Sequence, residues 1–475
     1  MSVSRGRGAR NLMGLPASRH AALSWRLLGV AAFLLLCAAC TRRQTATSQM
    51  IPTASAIPAT PAPGARNTPY ASATPTLSST VLTLTIWGPD WMAPLPDVPG
   101  GPILAQQIAA FQEAHPNWRV QYIRKKPYGQ GGLTHFLRAT RAVAPDSLPD
   151  LALVDMSEIG LLAADGLLQP LDSPLGPEMI ADLVPFAKEA GQVGEQLLAV
   201  QYEADLRFLA YNSAVIGRPP STWAEVLNAG HTYLLPIGNS EGAVRDAFLP
   251  QYFALGGKLV DRDGHPSLDK AVVAAILDVY HSARQAGLLP AAGFDLQDAS
   301  DCWPVYLASS APSGGVTAAM TNVNSWDYGR DRTRLAKTRV APLPTLSGTL
   351  ASLSTGWGWG VLCKDATRRA AAVAFLRWIL QPEAMAAWCR ATYHLPTRRS
   401  ALPLAVSDQE YLRFLQQLVE AATPQPREPI YTWTVDALRP AIEGVTRGTV
   451  SPQNAAAEAA DRMRIAQGAQ SAGPQ

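Results

Sequence analysis

Acidic and aromatic side chains follow several short apolar runs of this chain, a combination suited to holding a sugar. A sugar ring offers C–H faces that stack on aromatic rings, and hydroxyl groups that hydrogen-bond to planar polar groups. We therefore predict ligand contacts for the residues of these types that stand near predicted strand ends, chain crossings or glycines. They are Asp90, Trp91, Asp155, Ser157, Glu158, Tyr202, Glu203, Asp205, Trp326, Asp327, Gly356, Trp357, Trp359 and Trp433.

Each of these residues also has a structural alternative. A tryptophan can belong to the core, and a carboxylate can be solvated or can cap a helix. Trp357 and Trp359 flank Gly358, so in a strand both side chains point to one face, which we expect to line a cleft. The neighbouring glycines leave the backbone open to a ligand. Trp87 and Trp223 are assigned to the core.

Catalytic and cofactor motifs do not stand out in the sequence. It contains no HExxH or P-loop motif, and its 7 histidines lack metal-ligand spacing. No catalytic residue, metal or cofactor is predicted. An extracellular glycan-active enzyme remains an alternative, because Glu203 and Asp205 could supply the two carboxylates that a glycosidase needs about 5–10 Å apart.

The first part of the chain alternates between strand and helix patterns. Apolar residues alternate over residues 82–87, and residues 119–123 and 151–155 also resemble strands. Helical spacing begins near Ile103 and again near Leu133. This order predicts a parallel sheet with helical crossovers, whose ligands bind beyond the carboxyl ends of the strands. Asp90, Trp91, Asp155, Ser157 and Glu158 would share that rim.

The middle of the chain indicates a passage between two lobes. Residues 197–200 and 206–211 are apolar and short enough for strands, and the polar segment 201–205 lies between them. A crossing of this kind places a ligand cleft and a hinge together. A hairpin within one domain is the alternative. A chain of 475 residues favours two lobes, because single cores rarely grow that large.

The N-terminus resembles an export signal. Five arginines precede the apolar run 27–39, which is too short to span a membrane comfortably. Small residues before Cys40 resemble a bacterial lipobox, with Cys37 in place of the usual leucine, so we expect Cys40 to carry lipid. A plain secretory signal is the alternative. Without residues 1–39 the net charge changes from +3 to −2, which gives no indication of nucleic-acid binding.

Residues 40–80 consist mainly of Thr, Ser, Ala, Pro and Gln. Such a segment cannot bury enough apolar surface to fold, so we expect a disordered tether. A polar tail is expected over residues 468–475.

Three cysteines lie beyond the signal, namely Cys302, Cys363 and Cys389. A disulfide between two of them is possible in an exported protein. Buried apolar thiols are the alternative.

The order of several short signatures resembles the family 1 extracellular solute-binding proteins of bacterial ABC importers, the group that includes maltodextrin-binding proteins. Each signature is weak alone, but together they extend over roughly residues 82–465. They occupy residues 84–87, 108–111, 149–152, 166–171, 211–212, 220–225, 256–257, 319–320, 356–358, 371–383 and 396–398.

The resemblance implies an α/β, two-lobe, periplasmic-binding-protein-like fold of type II, with lobes joined by crossing hinge strands. It implies a first lobe of residues 81–203 plus 318–363 and a second lobe of residues 204–317 plus 364–467. The crossings would lie near residues 201–205, 313–318 and 362–365.

The resemblance also implies a function. The protein would capture a solute, a sugar or oligosaccharide on the residues above, and deliver it to the permease subunits of an ABC importer. It would act outside the cytoplasm, anchored to the cell membrane through Cys40, without catalysis or nucleic acid. A tethered sensory receptor is an alternative. Other solutes of the family include phosphorylated compounds, for which Arg207 is the only arginine near the crossing.

Overall fold

Two β-sheets, each covered by helices, form the two lobes of the protein. The computed structural model describes residues 81–309 and 318–471. The predicted α/β organisation in two lobes is confirmed. Residues 1–80, which include the predicted signal, Cys40 and the tether, lie outside the described residues.

The bounds of the elements are as follows. The strands are β1 Leu82–Pro89, β2 Trp118–Lys125, β3 Leu151–Asp155, β4 Gln192–Val193, β5 Gln196–Leu197, β6 Ala199–Gln201, β7 Glu203–Asn212, β8 Tyr233–Leu234, β9 Met320–Asn324, β10 Thr338–Ala341, β11 Ser352–Thr355, β12 Trp357–Val361, β13 Leu395–Pro396 and β14 Ala422–Pro424. The α-helices are Gly101–Ala114, Leu133–Val143, Ile159–Ala164, Asp172–Leu175, Pro177–Ala181, Pro185–Gly191, Trp223–Ala229, Leu249–Ala254, Lys270–Gln285, Ala299–Ser309, Ser325–Asp331, Ala366–Ile379, Pro382–Thr392, Leu402–Ala405, Gln409–Ala421, Ile430–Thr446 and Pro452–Ser471. Short 3₁₀ turns occupy Asp90–Met92, Pro145–Ser147, Met156–Glu158, Ala291–Phe294 and Arg332–Arg334, and Ala243–Phe248 is a π-helix.

The first lobe contains a sheet of five strands in the order β2-β1-β3-β12-β6. β1 pairs in parallel with β2 and β3, whereas β12 runs antiparallel to β3 and β6. The helix Gly101–Ala114 buries Leu104, Ile108 and Phe111, which recur at helical spacing on one face. The predicted strand–helix succession is confirmed, and it brings the carboxyl ends of β1 and β3 to one edge.

The second lobe contains a sheet in the order β14-β11-β7-β9-β8, with β10 and β13 also paired to β7. β7 is its centre, and the first eight of its ten residues are buried. A strand covered on both faces has a near-continuous apolar sequence, which explains the run 206–211. Thr222 caps the helix Trp223–Ala229, because its Oγ1 accepts a hydrogen bond from the Glu225 N–H at 3.2 Å.

The chain passes between the lobes at three places in the described residues. β6 of the first sheet is followed by β7 of the second, which confirms the predicted crossing near residues 201–205. Gly356 connects β11 of the second sheet to β12 of the first. The third passage follows the helix Pro382–Thr392, after which β13 pairs with β7.

The predicted lobe boundaries need correction. Strands β9, β10 and β11 join the second sheet, although residues 318–355 were assigned to the first lobe. The helices Ala366–Ile379 and Pro382–Thr392 contribute to the first core, although residues beyond 363 were assigned to the second. The crossing predicted near residues 362–365 is therefore wrong. Residues 310–317 lie outside the described residues, and they include most of the crossing predicted near residues 313–318.

The structure also bears on the predicted C-terminal tail and on the three cysteines. The helix Pro452–Ser471 continues through the first part of the predicted tail at 468–475. Cys302 and Cys389 are buried free thiols, and Cys363 is a partly buried one, so no disulfide joins these three. Within residues 81–309 and 318–471, no helix combines the length and apolar character that crossing a bilayer requires.

Candidate functional site: the interlobe cleft

A cavity of about 760 Å³ lies between the two sheets, beside the crossings; we call it the cleft. Nine of the predicted contact residues line it. They are Trp91, Asp155, Ser157, Glu158, Glu203, Asp205, Trp326, Gly356 and Trp357.

The first-lobe wall of the cleft carries a cluster of three aromatic rings. Trp357, at the start of β12, meets the ring of Trp91 at 5.3 Å between centroids and 89° between planes. It meets Tyr128 at 5.5 Å and 61°. Trp357 is 5% exposed, whereas Trp91 is 37% exposed. Edge-to-face contacts fix the indole and leave part of its surface directed to the cavity.

The second-lobe wall carries Trp326 and Tyr431. Trp326 stacks on His394, with ring centroids 6.4 Å apart and an angle of 18°. The guanidinium carbon of Arg330 lies over the Trp326 ring, 4.9 Å from its centroid. The Tyr431 hydroxyl donates to Glu241 Oε1 at 2.7 Å. Both walls therefore present aromatic surface, as stacking on a sugar requires.

Two carboxylates of the first-lobe wall are held by uncharged donors. Asp155 Oδ1 accepts from the N–H and the hydroxyl of Ser157 at 2.8 and 2.7 Å, and its Oδ2 accepts from the Tyr128 hydroxyl at 2.9 Å. Glu158 Oε2 accepts from Thr134 Oγ1 at 2.6 Å. Burial raises the pKa of Asp155 and raises the pKa of Glu158 to about 7, because the charged forms lose hydration.

Glu203 begins β7 at the first crossing and is 1% exposed. Its Oε2 accepts from Trp388 Nε1 at 2.7 Å, and His394 Nδ1 lies 3.6 Å from the same oxygen. Its Oε1 has no partner in the described residues, and neither has Asn324 Oδ1. Since buried acceptors are normally hydrogen-bonded, these two oxygens lack a donor that the described residues do not supply.

An ion-pair network stabilises the second-lobe wall. Arg207 pairs with Asp205 at 3.0 Å and with Asp246 at 2.9 Å, while Arg245 pairs with Asp246 at 2.7 Å. Burial acts to raise the pKa of Asp246, but the two guanidinium groups outweigh it and hold the pKa well below its usual range. This network fixes the wall that faces the ligand.

Asp205 differs from Glu203 because its acceptors are already occupied. Its Oδ1 accepts from Ser325 Oγ at 2.7 Å and from the Trp326 N–H at 3.2 Å, and its Oδ2 accepts from Arg207. Asp205 therefore positions Trp326, and we assign its main role to the wall rather than to the ligand.

Five of the predicted contact residues do not line the cleft: Asp90, Tyr202, Asp327, Trp359 and Trp433. Tyr202 and Trp359 belong to the first core, where their ring centroids are 6.0 Å apart, and Trp433 packs on the second core. Asp90 accepts a hydrogen bond from the Trp91 N–H at 2.9 Å. Asp327 accepts one from Ser300 and forms an ion pair with Arg330. Trp359 lies two residues, roughly 6–7 Å, deeper along β12 than Trp357.

Gly356 lines the cleft and also has a structural role that was not predicted. A Cβ at this position would lie 2.1 Å from the carbonyl oxygen of Glu203. The absence of a side chain therefore allows two crossing strands to approach each other, which positions Glu203 beside Trp357.

The sequence prediction missed several residues of the cleft, among them three that carry rings: Tyr128, His394 and Tyr431. Tyr128 follows β2 in a glycine-rich loop, so the rule that placed Asp155 at a strand end could have found it. Tyr431 is two residues from Trp433 on one helix, and residues so spaced point in different directions. No pattern in the sequence around His394 indicated that it would line the cleft.

Glu158→Gln is expected to stabilise the protein at pH 8. The pKa of Glu158 is raised to about 7 from 4.5, so the folded state holds a proton more tightly than the unfolded state. Stability is therefore lost as pH rises from about 4.5 to about 7. Glutamine avoids this loss. We therefore expect the unfolding free energy to rise by about 1–3 kcal/mol at pH 8 and to change little at pH 4, as measured by urea unfolding. An equal effect at both pH values would contradict the prediction.

A cleft between two α/β lobes, crossed by connecting strands and lined by aromatic and acidic side chains, defines a two-lobe binding protein. Residues 106–411 match the family described as bacterial extracellular solute-binding protein, and the chain belongs to this family.

The individual proteins to which the chain is similar share only a minority of its residues. The chain is 24% identical over 209 residues to the maltotriose-binding protein of Pyrococcus abyssi, an alignment that covers 42% of each protein. The cyclic alpha-maltosyl-1,6-maltose binding protein of Arthrobacter globiformis is similar in structure, with a TM-score of 0.67 and 19% identity over 81% of this chain and 98% of that one. The sugar-binding protein MalE of Xanthomonas citri gives a TM-score of 0.67 and 19% identity over 83% of this chain and 100% of that one. At these identities the two structures establish the fold.

Proposed function

We propose that this protein captures a sugar or oligosaccharide between its lobes and delivers it to an ABC importer. One observation carries the proposal: aromatic rings stand on both walls of the cleft, with buried carboxylate acceptors between them. Trp357 and Trp326 supply rings from opposite lobes, and Glu203 supplies a free acceptor at the crossing. Aromatic surface combined with a few fixed acceptors suits the C–H faces and hydroxyls of a sugar.

The relatives support this proposal. The relative from Pyrococcus abyssi is a maltotriose-binding protein, and a similar structure from Bdellovibrio bacteriovorus, with a TM-score of 0.58, has maltotriose bound. We infer binding without turnover, since these relatives are binding proteins. A bound sugar would accordingly be recovered intact.

We also propose that lipid on Cys40 anchors the protein outside the cytoplasm, with residues 40–80 as a tether and permease subunits as partners. The sequence pattern around Cys40 and the extracellular family support this arrangement. A tether of about 40 residues would allow the lobes to work at a distance from the membrane.

A thermal-shift screen of mono- and oligosaccharides tests the proposed function. A ligand that binds only the folded state stabilises it by about 2.7 kcal/mol at a hundred times its Kd, so the right sugar raises Tm. Closure about the crossings predicts a smaller radius of gyration with that sugar, measured by small-angle scattering. Stabilisation by amino acids or peptides, with none by any sugar, would overturn the proposal.

A further inference from the structure

The charges that line the cleft are divided unevenly between its walls. Eight acidic side chains and three arginines line the cavity. On the second-lobe side the arginines are already paired: Arg207 with Asp205 and Asp246, Arg245 with Asp246, and Arg439 with Asp436.

Four other carboxylates form what we call the acidic wall: Asp155, Glu158, Glu203 and Glu428. Among the described residues, no lysine or arginine forms an ion pair with any of them. Their hydrogen-bond donors are uncharged hydroxyls, backbone N–H groups and one indole, from Tyr128, Ser157, Thr134, Trp388 and Thr432. The His394 imidazole, 3.6 Å from Glu203, is the nearest basic group.

The acidic wall is continuous, because its segments touch. The Met156 N–H donates to the Gly356 carbonyl at 3.1 Å, and Gly356 lies against the Glu203 backbone. The Glu428 N–H donates to the Ser157 carbonyl at 2.9 Å. Burial, followed by the charges of Asp155 and Glu428, raises the pKa of Glu158, as expected for like charges held together.

Two residues that line the cleft carry buried acceptors without a donor, and one of them, Asn324, lies outside the acidic wall. Glu203 Oε1 and Asn324 Oδ1 have no partner in the described residues, and their residues are 1% and 3% exposed. Leaving such oxygens without a donor is costly. A sugar hydroxyl could donate to them but would leave the negative charge of Glu203 uncompensated. An ammonium group supplies up to three donors and the missing charge.

We propose that the solute is a saccharide with a basic nitrogen, an amino sugar or an oligosaccharide that contains one, whose ammonium group lies against the acidic wall. The inference rests on the proposed function, because the aromatic walls still hold the sugar ring. It adds the charge of the solute, which the family alone does not specify.

Matched pairs of ligands test the inference. Glucosamine, galactosamine, mannosamine and chitosan oligomers are titrated by calorimetry beside glucose, galactose, mannose and cello-oligomers, which carry a hydroxyl in place of the amine. We expect at least one amino sugar to bind tenfold to a hundredfold more tightly than its neutral parent. Added NaCl should weaken binding of the amino sugar more than binding of its neutral parent, because salt screens charges.

Two variants locate the charge. Glu203→Gln keeps an acceptor for Trp388 Nε1 but removes the charge. The affinity for the amino sugar relative to that for its neutral parent should therefore fall at least tenfold. Asp155→Asn is the second variant, in case the first folds poorly. The matched control is Glu420→Gln, which removes an acid that is paired with Arg399 at 2.7 Å outside the cleft and should leave the ratio unchanged.

The outcomes separate the two proposals. Neutral parents that bind as tightly as their amino sugars, or more tightly, overturn the charge inference and leave the sugar proposal standing. An unchanged affinity ratio in both cleft variants likewise overturns it. If no saccharide binds while an amino acid or peptide does, both proposals fail.

Discussion

Trp357→Ala is expected to weaken sugar binding by roughly 30- to 1000-fold, or about 2–4 kcal/mol. The indole lines the cleft and forms the centre of the ring cluster with Trp91 and Tyr128. Its loss removes one stacking surface and releases the two neighbouring rings. Because Trp357 is only 5% exposed, we also expect a loss of about 3 kcal/mol in unfolding free energy. Calorimetric titration and urea unfolding measure the two effects separately.

Trp359→Phe is the matched control for this variant. Trp359 lies on the same strand and the same face, but it is 0% exposed and packs on Phe375 with 6.0 Å between ring centroids. The control should lose stability and keep affinity. If Trp357→Ala keeps its affinity while losing stability, Trp357 belongs to the core and the stacking role passes to Trp326.

Asp246→Asn is expected to cost about 3–5 kcal/mol of unfolding free energy. Asp246 is 0% exposed and bridges Arg207 and Arg245, so the variant leaves two buried or half-buried guanidinium groups short of a counter-charge. Urea unfolding at pH 7 measures the loss. Asp436→Asn is the control, since its pair with Arg439 is exposed and such pairs contribute less than about 1 kcal/mol.

The same variant has a defined pH dependence. The pKa of Asp246 is lowered in the folded state, so its contribution is complete above the unfolded value of about 4 and is lost as pH falls further. The stability gap between the wild type and Asp246→Asn should therefore be equal at pH 7 and pH 5 and should narrow below about pH 4. A gap that narrows between pH 7 and pH 5 would contradict this assignment.

Local patterns in the sequence were sufficient for most elements of the fold. Alternation identified β1, helical spacing identified Gly101–Ala114, and the polar break at residues 201–205 located the first crossing. These features depend on neighbours within a few residues, so the sequence contains them directly. The strand-end rule likewise brought Trp91, Asp155 and Glu158 to one wall.

Tertiary structure alone decided which sheet each later strand joined and how deep each side chain lies. The apolar patterns of β9 and β11 are compatible with either lobe, because strand pairing depends on partners more than a hundred residues away. Period-two alternation places Trp357 and Trp359 on one face, but it does not specify that β12 runs from the cleft into the core. For the same reason, the free acceptor of Glu203 and the occupied acceptors of Asp205 became distinct only when Ser325 and Arg207 were brought into contact.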